Sequence, residues 1–146
     1  MLTRRNDRRA RTGVAAAELA LLIPILAYLL MAVIDFARLS FNSITITTCA
    51  HNGAIWACDP STQSQSPYKT LTAAAQADAA NLSPLPDVDP LKYCATPDGT
   101  YTTTVRTTGY IEVTVNWTFK TLVAYPGIPS TSKLSRFVRM RILPAS

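Results

Sequence analysis

The chain has 146 residues, of which 48% are hydrophobic, and a formal net charge of +5 at pH 7. This length leaves room for one small domain besides a membrane segment. Residues 1–13 carry five arginines and one aspartate, a formal charge of +4, whereas the remainder carries nine basic and eight acidic residues, a formal charge of +1. Because nucleic-acid-binding proteins spread basic residues over a folded face, this nearly neutral remainder argues against nucleic acid as a partner.

Residues 14–34, VAAAELALLIPILAYLLMAVI, form an apolar stretch that contains one charged residue, Glu18, and one proline, Pro24. As a helix these twenty-one residues would be about 32 Å long, which matches a bilayer core of about 30 Å. We therefore predict a transmembrane helix with a basic cytoplasmic leader, residues 1–13, and an exported C-terminal part. A cleaved secretory signal has a shorter apolar core, followed by a small-x-small cleavage site. The stretch here is longer and no convincing Ala-x-Ala site follows it, which argues against such a signal. A plain signal anchor is the alternative, since it explains both the arginines and the hydrophobicity.

A plain anchor does not explain two details: the charge of Glu18 and its spacing from Gly13. Glu18 lies inside the apolar stretch, where an ionised carboxylate is costly and usually functional. It ends the string Gly13-Val14-Ala15-Ala16-Ala17-Glu18, which resembles the processing site of type IV prepilins. The resemblance implies that prepilin peptidase cuts between Gly13 and Val14, so that Glu18 becomes the fifth mature residue and pairs with the new amine of a neighbouring subunit. A glycine followed by such a glutamate is common by chance, and its position between an arginine-rich leader and a bilayer-length helix favours processing.

The longer string GVAAAELALLIPILAYLLMAVIDFARLSF resembles the N-terminus of the TadE-like family of tight-adherence pilus proteins. The shared features are the alanines before Glu18, the Ile-Pro step at Pro24 and the Asp-Phe-x-Arg motif at residues 35–38. Leu19 stands where the family more often has an aromatic residue. The resemblance covers residues 11–58 and implies a minor pilin or pseudopilin of a type IVb pilus in the bacterial cytoplasmic membrane. It implies a role in pilus assembly, surface attachment or secretion, with other pilin or pseudopilin subunits, the assembly machinery and membrane lipid as partners.

Residues 35–58 are predicted to prolong the helix outside the membrane until Asp59-Pro60 ends it. The β-branched run at residues 45–48, TITT, argues mildly against this helix. Residues 59–67 are predicted to form an exposed loop, and the alanine-rich residues 68–82 a second helix.

The C-terminal third changes to an alternation of apolar and polar residues, which predicts a half-buried strand over residues 111–120. We expect Tyr101–Arg106 to pair with it as a hairpin and residues 134–143 to form a third strand. An antiparallel sheet of about three strands would then cover one face of the helix extension. The predicted fold is α+β and pilin-like, with residues 59–146 as a small extracytoplasmic domain whose core is too small without the helix.

Three cysteines, Cys49, Cys58 and Cys94, lie on the predicted exported side, where disulfides persist. A Cys58–Cys94 bridge would tie the loop before the hairpin to the helix and contribute about 4 kcal/mol. Cys49–Cys94 is the open alternative, and the remaining cysteine would stay free or pair between subunits.

No motif indicates catalysis. The single histidine, His51, is typical of a surface residue and has no cysteine or histidine at zinc-site spacing. Three aspartates in the loops can offer oxygen ligands to calcium but lack the spacing of a known site and are better explained as turn residues: Asp87, Asp89 and Asp98. We therefore predict a non-enzymatic protein without catalytic, cofactor or metal residues. The alternative to a pilus subunit is a permanently anchored extracytoplasmic binding domain that enters no filament.

Overall fold

The computed structural model describes residues 6–144, with side chains from residue 13 onwards. The chain forms two compact units, residues 1–37 and residues 38–146. An N-terminal apolar helix is followed by short helices and a small antiparallel sheet, which confirms the predicted α+β fold class. The elements in chain order are α1 (Asn6–Cys58), α2 (Pro60–Gln65), α3 (Leu71–Ala75), a 3-10 turn (Gln76–Asp78), β1 (Asp87–Val88), β2 (Lys92–Cys94), β3 (Tyr110–Lys120) and β4 (Thr131–Arg141).

The helix α1 is continuous through residues 35–58, as predicted. The expectation that the β-branched residues 45–48 disfavour a helix was wrong. The hydroxyls of Thr45, Thr47 and Thr48 donate to backbone carbonyls four residues earlier at 3.2, 2.9 and 3.2 Å, so these polar groups are satisfied within the helix. Ile46, the remaining residue of the run, is fully buried. Packing of this isoleucine outweighs the weak propensity of its neighbours.

Residues 59–67, predicted to form a loop, contain the short helix α2. Asp59 caps this helix: its carboxylate accepts from the backbone N–H of Ser61 at 2.8 Å and from the hydroxyl of Thr62 at 2.9 Å. Proline at the first helical position fits, because that position needs no N–H. The hydrogen bonds from Ser61 and Thr62 lower the pKa of Asp59. The sequence Asp-Pro-Ser-Thr was therefore a helix start as well as a helix stop.

The helix predicted over residues 68–82 is present only as α3 and the 3-10 turn after it. Thr70 has an extended backbone, and its hydroxyl accepts from the N–H of Ala73 at 3.1 Å, which sets the helix start. The turn ends at Asp78, and two of the three apolar residues after it, Ala79 and Leu82, are buried without helical structure. The alanines thus predicted the location of the helix but not its length.

Strand β3 is the centre of a four-stranded antiparallel sheet, one strand more than expected. It pairs with β4 along its whole length, while β1 and β2 pair with its other edge. The predicted strand Tyr101–Arg106 was wrong: only Thr102 forms a bridge, and its partner is Tyr93. Residues of β2 take the place beside β3 that the hairpin was expected to fill.

The core of the second unit lies between α1 and one face of the sheet. The predicted alternation in β3 is confirmed, because Ile111, Val113 and Val115 are fully buried and Phe119 is 3% exposed. The matching face of the helix is made of small or medium side chains, all fully buried: Ile46, Cys49, Ala50 and Ala54. Arg38, at the start of this unit, stacks on the ring of Phe119 at 5.5 Å.

Gly53 lies where α1 closely approaches its surroundings. A methyl group added at this position would lie 3.1 Å from Cβ of Ala75 and 3.2 Å from Cγ1 of Val113. Both distances are shorter than ordinary carbon–carbon contacts. The missing side chain is therefore what lets the helix pack on β3 and α3 at once.

We expect Gly53→Val to destabilise the second unit by about 1–3 kcal/mol, because the added methyl groups overpack the core. Urea unfolding of the full chain in detergent, followed by tryptophan fluorescence, measures this change. The matched control is His51→Val, which places the same side chain at an exposed position of the same helix and should change stability by less than about 0.5 kcal/mol. Equal stability of the two variants would contradict the close packing.

The three cysteines are buried free thiols in the structure, so neither the Cys58–Cys94 nor the Cys49–Cys94 bridge is present. Cys49 and Cys58 belong to the core between α1 and the sheet. Cys94 is opposite Tyr110 in the register, so it lies on the other face from Ile111, and its sulfur faces Gly99. The sheet thus separates Cys94 from the thiols of Cys49 and Cys58. The alternation of apolar and polar residues along the chain did not reveal this separation.

We expect three free thiols in the purified protein. Burial raises the pKa of Cys49 and Cys58, which lowers the thiolate fraction at a given pH, so maleimide should react slowly when the chain is folded and faster as pH rises. After denaturation without reductant, mass spectrometry should find three labels. A mass two hydrogens lower, with only one label, would show a bridge instead.

Candidate membrane anchor and processing segment

The apolar part of α1 is exposed. Every leucine, isoleucine, valine, methionine and tyrosine between Leu19 and Ile34 is at least 38% exposed. Removing one such side chain from water contributes about 1.5–3 kcal/mol, so this surface strongly favours an apolar environment. Among the described residues one helix is long and apolar enough to cross a membrane, and only 6% of its apolar window is buried. That low burial distinguishes it from the core helix of a soluble domain.

Glu18 is the only charged residue of the stretch 14–34. Its side chain is exposed, and within the described side chains, residues 13–144, it has no hydrogen bond or ion pair. Val14, Leu22 and Ile25 lie on the same helix face at spacings of four and seven residues. In a bilayer this carboxylate would sit on an apolar face, where an unpaired charge is costly.

Gly13 and Val14 lie on the N-terminal side of the apolar stretch, within α1. A methyl group added to Gly13 would meet no described atom within 4 Å, and Val14 is 60% exposed. Both positions are therefore free of side-chain packing from the described residues. Glycine inside a helix is about 1 kcal/mol less favourable than alanine, so local unwinding is easier at Gly13 than at the alanines that follow it.

Pro24 lies inside α1 without ending it. A proline has no N–H to donate, so the carbonyl of Ala20, four residues earlier, loses its usual helical partner. Membrane helices tolerate this where neighbouring helices or side chains satisfy the freed carbonyl. The Ile-Pro step noted in the sequence is thus compatible with a spanning helix.

The second unit brings none of the weaker candidates together. His51 is exposed on α1. Asp89 accepts a hydrogen bond from the Asn116 amide at 2.9 Å, and Asp87 lies in β1 opposite the same residue. No group of three or more histidine, cysteine or acidic residues suited to a metal occurs within residues 13–144. Cys58 and Cys94, the predicted bridge, stay on separate faces of the sheet.

Sequence reasoning missed a buried carboxylate at Glu112. It lies on the polar face of β3 yet is only 9% exposed. Arg139 of β4 donates to it at 2.8 Å, and Lys92 of β2 lies 3.8 Å away. Glu112 raises the pKa of Arg139, whose guanidinium also stacks on the ring of Tyr101 at 4.5 Å. The only available signal was that Glu112 is the one acid in this strand. The cluster joins three strands and is structural.

The comparison with known families concerns the apolar helix and its extension. No curated protein and no solved structure matches the chain. The family model described as TadE-like protein matches residues 13–54. The match starts at Gly13, includes Glu18, Pro24 and the Asp-Phe-x-Arg motif, and ends one residue after Gly53. The resemblance drawn from the sequence is therefore confirmed over residues 13–54, which match the TadE-like family model.

Proposed function

We propose that the chain is a minor pilin or pseudopilin of a tight-adherence (type IVb) pilus system. One observation carries the proposal: a family-matched segment begins at Gly13 and places on an exposed apolar helix a glutamate that has no partner among the side chains of residues 13–144. As a TadE-like, pilus-associated protein the chain would act in pilus assembly, surface attachment or secretion. Its role is structural, through helix packing, and needs no catalytic residue.

The exposed surface of residues 19–34 supports a change of environment during assembly. Lipid covers these side chains while the helix spans the membrane. Helices of neighbouring pilin or pseudopilin subunits cover the same side chains once the protein is extracted into an assembly. Both environments are apolar, so the transfer does not expose the helix to water.

Processing would supply Glu18 with a partner that the described side chains do not offer. Prepilin peptidase, acting at the membrane surface on the bond after Gly13, would leave a positive amine on Val14. The amine of one subunit can then pair with Glu18 of the next, which removes two unpaired charges from an apolar interior. Because the pair joins fixed positions, it also sets the axial register between helices.

We expect the protein from native membranes that contain prepilin peptidase to begin at Val14. Gly13→Ala should leave the leader attached, because a side chain then obstructs the peptidase and the helix unwinds less easily. Intact mass and N-terminal sequencing measure the outcome. The control is Thr12→Ala, which alters the leader but keeps the glycine. A wild-type chain that still begins at Met1 would contradict processing and leave a permanently anchored binding domain.

We expect Glu18→Gln to separate cleavage from assembly. The variant should be cut after Gly13 but should crosslink to neighbouring subunits or enter pili at least about tenfold less, because an unpaired amine stays in the apolar interior. Glu18→Asp keeps the charge and should retain part of the incorporation. Normal incorporation of the processed Glu18→Gln chain would exclude the proposed pairing.

We expect the arginine-rich leader to stay in the cytoplasm and residues 38–146 to be exported. Protease added to spheroplasts should digest the second unit and leave the leader and apolar helix protected. Replacing Arg4, Arg5, Arg8 and Arg9 with glutamate should reduce the exported fraction severalfold, whereas replacement with lysine should not. Protection of the second unit in the wild type would show the opposite orientation.

A further inference from the structure

Strand β4 is an open edge of the sheet. It pairs with β3 over all eleven of its residues, Thr131–Arg141, and with no other strand in the described part of the chain. Eight of these residues are exposed and the other three are half-buried. An edge of this length with accessible backbone groups is a template for an additional strand.

Hydrogen bonds at both ends of β4 identify the backbone groups that face outwards. Ile142 donates to the carbonyl of Gly109 at 2.9 Å, and the carbonyl of Ser130 accepts from Thr121 at 3.0 Å. Backbone direction alternates along a strand, so even-numbered residues bond to β3. The residues that direct N–H and C=O to the open edge are Thr131, Lys133, Ser135, Phe137, Arg139 and Arg141.

The open edge has a defined end. Leu143, the next outward-facing residue, donates to the carbonyl of Cys58 at 2.8 Å, so the end of α1 closes the edge beyond Arg141. Within the edge, the carbonyl of Ser135 accepts from the guanidinium of Arg136 at 3.1 Å. The backbone N–H of Ser135 still points outwards. A partner strand can therefore bond between residues 131 and 141.

The basic side chains of β4 indicate which kind of strand can pair with its open edge. The strand carries Lys133, Arg136, Arg139 and Arg141 and no acid, and Glu112 compensates only Arg139 directly. A second copy pairing antiparallel about its own Phe137 would place Arg141 opposite Lys133 of the other copy, and like charges opposite each other destabilise a sheet. The same cations attract carboxylates. The edge therefore disfavours self-association and favours an acidic strand.

We propose that β4 binds an extended acidic segment of another protein by strand addition. Backbone hydrogen bonds to the outward residues hold the segment, and its side chains alternate against the outer face of β4. Carboxylates opposite Lys133 and Arg141 flank an apolar residue opposite Phe137, which is 60% exposed. This interaction is independent of the anchor, of leader cleavage and of filament assembly.

The probe is a fluorescent peptide of sequence Glu-Thr-Glu-Thr-Ile-Thr-Thr-Thr-Glu, titrated with the full chain in nanodiscs and followed by anisotropy. We expect wild type and Ser135→Ala to bind it with equal affinity. Ser135→Pro should bind at least about tenfold more weakly, because it removes an outward N–H while leaving the bonds of even-numbered residues to β3 intact. Circular dichroism checks that the proline variant is folded.

Two peptide controls test the same point without altering the protein. Methylating the peptide amides that face β4 should abolish binding, and replacing its glutamates with lysines should weaken binding at least about tenfold. Lys133→Glu with Arg141→Glu should reverse the preference between acidic and basic peptides. The proposal is overturned if the acidic peptide does not bind, if the methylated peptide binds equally, or if wild type dimerises through an edge that Ser135→Pro blocks.

Discussion

The glutamate inside an otherwise apolar helix is the constraint on which the N-terminal half of the protein depends. A carboxylate without a partner is costly in a bilayer, and an uncharged residue at position 18 would give an ordinary anchor. A positive charge close to Glu18 would offset this cost. In the proposed function, the amine that cleavage after Gly13 creates on a neighbouring subunit is that charge. Under this proposal the processing site and the carboxylate act together.

Helix α1 has a different surface in each of two segments, residues 19–34 and residues 46–54. Between residues 19 and 34 its large apolar side chains are exposed all around the helix, which is typical of a helix covered by lipid or other helices. Between residues 46 and 54 only one face is buried, and small residues such as Ala50 and Gly53 let the sheet approach closely. The second surface makes the helix extension part of the folded domain, which could not bury its sheet without it.

Much of the fold was predictable because its strongest signals are local. The apolar run at residues 14–34 and the alternation in β3 each arise from neighbouring residues that share one environment. Errors occurred where distant contacts decide the outcome. Burial of Ile46 keeps the threonine-rich part of α1 helical, and β2 displaces the expected hairpin strand at residues 101–106. No local pattern contains either contact.

The candidate site shows the same division. Gly13, Val14 and Glu18 could be proposed as a processing site from the sequence, because such a site is defined by the spacing of its residues. The face occupied by Cys94, opposite to that of Cys58, follows from its register with Tyr110 and needed the structure. The pairing of Glu112 with Arg139 likewise joins residues far apart in the chain.

The two carboxylates Glu18 and Glu112 differ in whether the described side chains balance their charge. Glu112 is nearly buried and has Arg139 at 2.8 Å and Lys92 at 3.8 Å, so its charge is balanced within the chain. Such a group stabilises the arrangement of strands and requires no other molecule. Glu18 has no partner among the described side chains and lies where solvation by water is lost. Since leaving a charge unpaired in an apolar medium is unfavourable, a counter-ion from outside the described side chains would stabilise Glu18, and in the proposed function the assembly of subunits brings one.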